Sequence, residues 1–589
     1  MAFPILGTLP FSYTKNILPP LGKKYSSLAT CNPNTFSIKT QCNASSKDAK
    51  DDSQTITRRS ANSQPSIWTY DYIQSLTNLE VKHTKEFLML KEKVRMMFNK
   101  MENEIDQLEF IDVLQRLGVA YQFNNEIGKI LDNIYNSQTS MLKNNLYATS
   151  LKFRLLRQHG YNISTDILCC FLDKHDSFKE YHSFDVEGVL SLYESSFHSF
   201  EDETILDEAR DFTSKCLKEY NMNQNSGTYT SLLINHALEL PLHWRVPRWE
   251  AHWFINVYER KQNMSPILLE FAKIDFNIVQ SNFQEELKYA SRWWKITELD
   301  EKLSFARNRL VENFVWSVGT SYEPDLEYYR KEMTKVNALI TSIDDVYDVY
   351  GTLEELQLFT KAIDRWDLSA MEFLPYYMKI CFHALYNFVN EVAFETLKKS
   401  GHYITPYLKK TWADLCKAYL IEAKWYHSGY TPTVEEYIEN AWTSIGDPVI
   451  LTHAYFLIPH SLKVEDLVRL EENPDIIKHS SMILRLANDL GTYKRENDTG
   501  DSSKLIGCYM NETGASEVEA HEYVKSMIHA EWKKMNKEAH SSSFSHSFID
   551  IAINYGRVAM FMYQHGDGHT IQDTEMQNRI MSFIFRPIP

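Results

Sequence analysis

Glycine and proline are scarce, at 19 and 18 of 589 residues. That is roughly half the share of an ordinary globular chain. Tight strand corners and phosphate-cradling turns need those residues, so an all-β barrel and a nucleotide-cradling α/β fold are disfavoured. The eight cysteines include no CxxC, which excludes the sequence signature of a zinc ribbon or a thioredoxin site. Cys169 and Cys170 sit in an apolar stretch, 167–172, and read as core; reduced thiols are the default. No apolar run approaches the roughly 20 residues that span a bilayer. A net charge of −16 argues against a nucleic-acid groove.

Acidic residues are missing from the start of the chain. Before Asp48 stand five Lys and eleven Ser or Thr, with no Asp or Glu. A Ser-rich, acid-poor leader reads as a transit peptide, and the lack of Arg before Arg58 favours a plastid over a mitochondrion. Residues 1–50 are assigned to it. The remainder of the chain is then still more acidic than −16, so an anionic ligand needs a local cationic device.

What the sequence does have is helical periodicity. Apolar residues at Phe87, Leu90, Val94, Met97, Met101 and Ile105 follow 3/4 spacing. Similar stripes run through 205–217, 268–283, 333–347, 371–397 and 482–493. Period-2 alternation is hard to find. The fold class is all-α, with an N-terminal helical domain over 58–265 and a C-terminal one over 266–589.

Two polar patterns interrupt the stripes. Residues 344–348 read DDVYD. Asp344 and Asp348 share a helix face and Asp345 is adjacent. Three carboxylates so close repel one another, and a hard divalent cation relieves that repulsion. Residues 488–496 read NDLGTYKRE. Asn488, Thr492 and Glu496 are spaced i, i+4, i+8, which lines three oxygens along one face; Asp489 points elsewhere. Nearby cations are Arg307 and Arg309 in RNR, Arg485 one turn before Asn488, and Lys504. Arg forks and Lys point charges grip phosphate. Acid clusters beside cations describe a diphosphate held through metal ions.

With these motifs in place the chain resembles a plant class I terpene synthase, over nearly all of 58–589. DDVYD, NDLGTYKRE and RNR stand at the family's spacing. So do RRSANSQPSIW (58–68), which fits RRx8W, and LRQHG (156–160), HALELPLHWR (236–245) and YGTLEELQLF (350–359). The resemblance implies a C-terminal α-bundle with three Mg²⁺ or Mn²⁺, held by Asp344, Asp345, Asp348, Asn488, Thr492 and Glu496. It implies a barrel-like N-terminal helical domain without catalysis of its own. RRx8W with a plastid leader resembles the monoterpene synthases, which ionise geranyl diphosphate. Diphosphate contacts fall to Arg307, Arg309, Asp344, Asp348, Arg485, Asn488 and Lys504. Trp316 and Tyr419 are the implied carbocation-facing aromatics, and Arg58 and Arg59 the lid. His569 reads as a cavity wall. Tyr563, His569 or the diphosphate itself could take the final proton.

The chain departs from the family at Thr499, where an Arg is usual. Asn337 and Leu484 stand where isoprene synthases tend to carry Phe, which implies a roomier cavity. The overall look is nearest to synthases of acyclic ocimene or myrcene type, with tricyclene-type cyclisation a neighbour. Implied partners are the small-molecule substrate alone, with no nucleic acid and no membrane span, in a monomer or weak homodimer. The alternatives are a sesquiterpene synthase using farnesyl diphosphate and, in another class, a non-catalytic helical scaffold.

Overall fold

Apolar stripes become helices nearly wherever the spacing placed them. The 205–217 stripe lies in helix Thr204–Asn223 and the 268–283 stripe in Pro266–Thr297. That over 333–347 runs through Glu327–Asp345 into the following turn Val346–Tyr350, and that over 482–493 lies in Asp475–Thr499. Two stripes are broken. The first is split between Thr84–Phe98 and Glu104–Arg116, because Asn103 caps the second helix by accepting from Asp106 N. The stripe over 371–397 breaks at Pro375, which opens helix Tyr376–Ser400 after a short 3₁₀ turn, Leu368–Phe373. The computed structural model describes residue 58 and residues 64–77, 84–137, 144–173, 178, 185–223, 227–499 and 504–589. The leader, 1–50, lies outside them.

The cysteine expectation is corrected. Cys169 and Cys170 are exposed. Residues Thr165–Phe171 form a 3₁₀ turn, in which positions three apart align. Leu168 and Phe171 therefore turn inward together and the two thiols face out.

In the C-terminal half every residue of helices Leu310–Thr320 and Asp447–Leu457 is buried. A helix covered all round belongs at the centre of a bundle. Glu327–Asp345, Asp475–Thr499 and His546–Met562 surround these two. A methyl added at Gly319 would sit 2.6 Å from Val558, so Leu310–Thr320 and His546–Met562 meet closely there. Thr405–Ser428 packs on Leu353–Arg365 and Val434–Ser444 to complete the wall.

Residues Arg58–Pro589 pack as one unit. Helix Pro266–Thr297, capped by Ser265, starts where the sequence division falls and joins the halves. Its Asp275 accepts from Arg248 at 2.9 Å, from Tyr121 at 2.7 Å and from Gln122 at 3.2 Å. Both ions are almost wholly buried. Further along, Lys533 meets Asp207, Asn536 donates to the carbonyls of Phe197 and Ser199, and Arg557 donates to that of His243.

Candidate active site

The first acidic motif sits at a change of helix type. Glu327–Asp345 is α-helical, and Val346–Tyr350 continues it as a π turn. Such turns are costly and cluster at functional sites. A π turn takes more residues per revolution, so Asp348 stays on the face of Asp344 across the change. Asp344 is half-buried and Asp348 is exposed, yet Asp348 lies deep among surrounding groups. It therefore opens onto a concavity rather than the outer surface. Burial and the Asp344 charge push its carboxyl well above the usual range.

Asp345 is placed differently. It is buried and accepts from Arg307 N at 2.6 Å and from Arg307 Nε at 3.2 Å. Arg307 Nη2 donates to Asp344 at 2.6 Å and Nη1 to Thr570 Oγ1 at 3.0 Å. Burial opposes the Arg307 charge, but Asp345 and Asp344 outweigh it and raise the guanidinium above its ordinary range. Asp345 thus aims Arg307 at the acidic face, where the same guanidinium meets Asp344.

The second motif lies on Asp475–Thr499. Thr492 is buried and donates to Asn488 O, while Arg485 Nη1 reaches Asn488 Oδ1 at 3.3 Å. Arg485 is locked by Ala441 O and Ser444 Oγ. Asp489 faces away, accepting from Tyr437 OH and Leu505 N. Lys504 stands 3.9 Å from Glu496 and draws down the Asp348 carboxyl as well. One cation therefore stands within electrostatic reach of both motifs. The Thr499 side chain lies outside the described residues.

A loop from the C-terminal end closes the third side. Arg495 pairs with Asp567 at 3.1 Å. Gly491 packs against this loop, where an added methyl would lie 2.9 Å from Tyr563 Cβ and 3.0 Å from Gly566 O. Gly491→Ala is expected to push the loop outward and lower turnover at least threefold in steady-state assays. His569 accepts from Trp316 Nε1 at 3.3 Å through Nδ1, which leaves the proton on Nε2, 3.4 Å from Thr341 Oγ1. Burial, then Arg307, lowers the imidazole to about 4, so it is neutral near pH 7. Trp316 also lies near Tyr555 and Tyr563, at ring separations of 6.3 and 6.1 Å. Tyr419 is buried beside Tyr347, and burial, Asp344 and Asp348 raise its hydroxyl. Tyr419 thus borders the acidic face, while Trp316 packs among Tyr555, Tyr563 and His569.

Arg58 lies beside the last residue of the π turn. It binds Glu355 bidentately at 2.8 Å, donates to Tyr350 O at 2.9 Å, and covers the Tyr350 ring at 4.5 Å. Arg59 lies outside the described residues. Arg309 differs from its expected placement. Its guanidinium is nearly fully buried and donates to the carbonyls of Asn308, Gln64 and Thr570. Asp567, Thr570 and Glu355 escaped the sequence reading. The only signal for the first two was the HGDGHT loop, whose partners are remote in sequence.

The donor set suits a hard divalent cation: carboxylates, an amide and a hydroxyl, without thiol or imidazole. Among the described residues no three His, Cys, Asp or Glu converge into a ready cage. The two motifs are half-sets that an anion's own oxygens would complete. The comparisons agree with this chemistry. Residues 295–534 match the metal binding domain of the terpene synthase family, and 67–238 match the terpene synthase N-terminal domain. A chloroplastic myrcene synthase of Quercus ilex is 56% identical over 91% of this chain and 90% of its own. A limonene synthase solved with 2-fluorolinalyl diphosphate is 42% identical, with a TM-score of 0.88 over 90% of this chain and all of its own. Isoprene synthase from grey poplar leaves, solved with three Mg²⁺ ions and dimethylallyl-S-thiolodiphosphate, is 42% identical, with a TM-score of 0.82 over 89% and 99%. Two opposed oxygen-donor helices, both family domains and this degree of identity lead to one conclusion: the chain belongs to the terpene synthase family, lyases that act on diphosphates.

Proposed function

We propose that this protein is a plastidial monoterpene synthase that ionises geranyl diphosphate and releases an acyclic product of ocimene or myrcene type. The observation that carries the reading is the junction of Arg307, Lys504 and Arg485 with two opposed acidic motifs beside Trp316 and Tyr419. The named activities and chloroplastic location of the relatives support it, as does the basic, acid-free leader.

Asp344, Asp348, Asn488, Thr492 and Glu496 would hold Mg²⁺ or Mn²⁺, three ions by family analogy, with Asp345 acting through Arg307. Bound divalent ions would supply Lewis-acid neutralisation of the leaving diphosphate. Arg307, Arg485 and Lys504 are fixed in place before reaction, so they stabilise the departing anion without reorganising. Trp316 and Tyr419 offer ring faces to the allylic cation, on the order of 1–2 kcal/mol each in a dry site. Arg58 closes over Tyr350 and helps exclude water, which would quench the cation. His569, neutral and hydrogen-bonded on both nitrogens, presents no charge to it.

The test is gas chromatography of products from the purified protein with Mg²⁺ and either geranyl or farnesyl diphosphate. Monoterpene from the former is expected; sesquiterpene alone would replace the reading, and no volatile from either would end it. Cavity size gives a second check. Asn337 is buried, 3.4 Å from Asn313 O and Ser317 Oγ. Asn337→Phe should lower kcat/KM for geranyl diphosphate about tenfold, as lost room for a few methylenes does. The ratio of dimethylallyl to geranyl turnover should rise with it.

A further inference from the structure

Three remote segments meet beside the site: residues 64–68, the start of helix Leu310–Thr320, and the loop through 567–572. Glu312, on that helix, is fully buried. Its Oε1 accepts from Gln572 Nε2 at 2.6 Å. Gln572 Oε1 in turn accepts from Ile67 N at 3.1 Å. Glu312 Oε2 and Trp68 Nε1 are both buried with no hydrogen-bond partner among the described residues, and burial raises the Glu312 carboxyl while the Gln572 amide pulls it part of the way back. One residue before the helix, Arg309 donates to Gln64 O at 3.1 Å and to Thr570 O at 3.1 and 2.9 Å. The loop so held carries Thr570, which meets Arg307, and His569, which meets Trp316. The helix so held carries Trp316 itself.

We infer that Glu312, Gln572 and Arg309 form a latch that couples the seating of residues 64–68 to the placement of Thr570 and His569 against the reacting end of the site. These are positioning residues that act through Arg307 and Trp316. A buried carboxyl with a dedicated amide donor holds one geometry, because a lost partner leaves an unpaired polar group in the interior. Opening either end of the latch therefore loosens the other, and water then reaches the cavity.

The test exploits the direction of the two hydrogen bonds. Gln572→Glu keeps an acceptor for Ile67 N but sets a carboxylate against Glu312. Glu312→Gln/Q572E restores one donor and one acceptor with the roles exchanged. Amide hydrogen exchange in the full chain should speed up at least tenfold at both Ile67 and Thr570 in Q572E, and return to within threefold of the parent in the swap. Glu312→Gln alone, the milder change, should give a smaller rise at both amides. With geranyl diphosphate and Mg²⁺, the share of terpene alcohols, formed when water adds to the cation and loses a proton, should at least double in Q572E and fall back in the swap. Unchanged exchange in Q572E, a rise at Ile67 alone, or no restoration in the swap would overturn the latch. The alcohol readout rests on the proposed reaction, whereas the exchange readout does not. A parent that makes no product would therefore remove the function and still leave the latch to be judged.

Discussion

Asp344→Ala should reduce turnover by about a thousandfold or more while leaving the helical circular dichroism spectrum unchanged. Asp344 contributes a carboxylate to the first oxygen set and also accepts from Arg307 Nη2. Under the proposed assignment its loss would remove an ion ligand and free the guanidinium that would meet the leaving diphosphate. Removing one preorganised electrostatic contact already costs roughly 10²–10³ in rate, and here two functions fail together. The fold should survive because Asp344 is only half-buried and the apolar side of its helix is untouched. A chelator should reproduce the loss in the parent protein, and added Mg²⁺ should reverse it there but not in Asp344→Ala. Retained activity in the variant would refute the metal assignment.

The second large effect is on stability. Asp275→Ala should destabilise the protein by about 3–5 kcal/mol, the cost of breaking a buried ion pair from one side. Arg248 would be left charged among Phe276, Tyr322 and Gly118, with only carbonyl oxygens to answer it. Tyr121 would lose its acceptor too. The check is a denaturant or thermal melt of Asp275→Ala beside Asp275→Asn. The amide keeps one acceptor oxygen of the two, enough for Arg248 or for Tyr121 but not both, so the milder variant should recover part of the loss. Equal stability of Asp275→Ala and the parent would show that the pair is dispensable.

Much of this was legible in the sequence, for identifiable reasons. Helices announce themselves through local spacing, and both acidic motifs are local, so Asp344, Asp348, Asn488, Thr492 and Glu496 could be placed on faces without a fold. The differences have two causes. Cys169 and Cys170 were misjudged because composition alone does not distinguish a 3₁₀ turn, with its three-residue alignment, from a buried run. Asp345 was grouped with its neighbours by adjacency, although its partner, Arg307, lies 38 residues away. Arg309 was assigned by the motif it shares with Arg307. Its partners at Gln64 and Thr570 are separated from it by 245 and 261 residues. Contacts of that span leave no periodic trace.

The ties between the halves bear on recombination. A chimera cut at residue 265, the natural place by sequence, separates Arg248 from Asp275, Asp207 from Lys533, and the carbonyls of Phe197 and His243 from Asn536 and Arg557. Each is a polar contact that a foreign half must supply from the matching position. The C-terminal half is therefore not a cassette. Grafting it between relatives will succeed in proportion to how many of these pairs travel together, and product-swapping libraries should be built by transplanting the pairs with the helices that carry them.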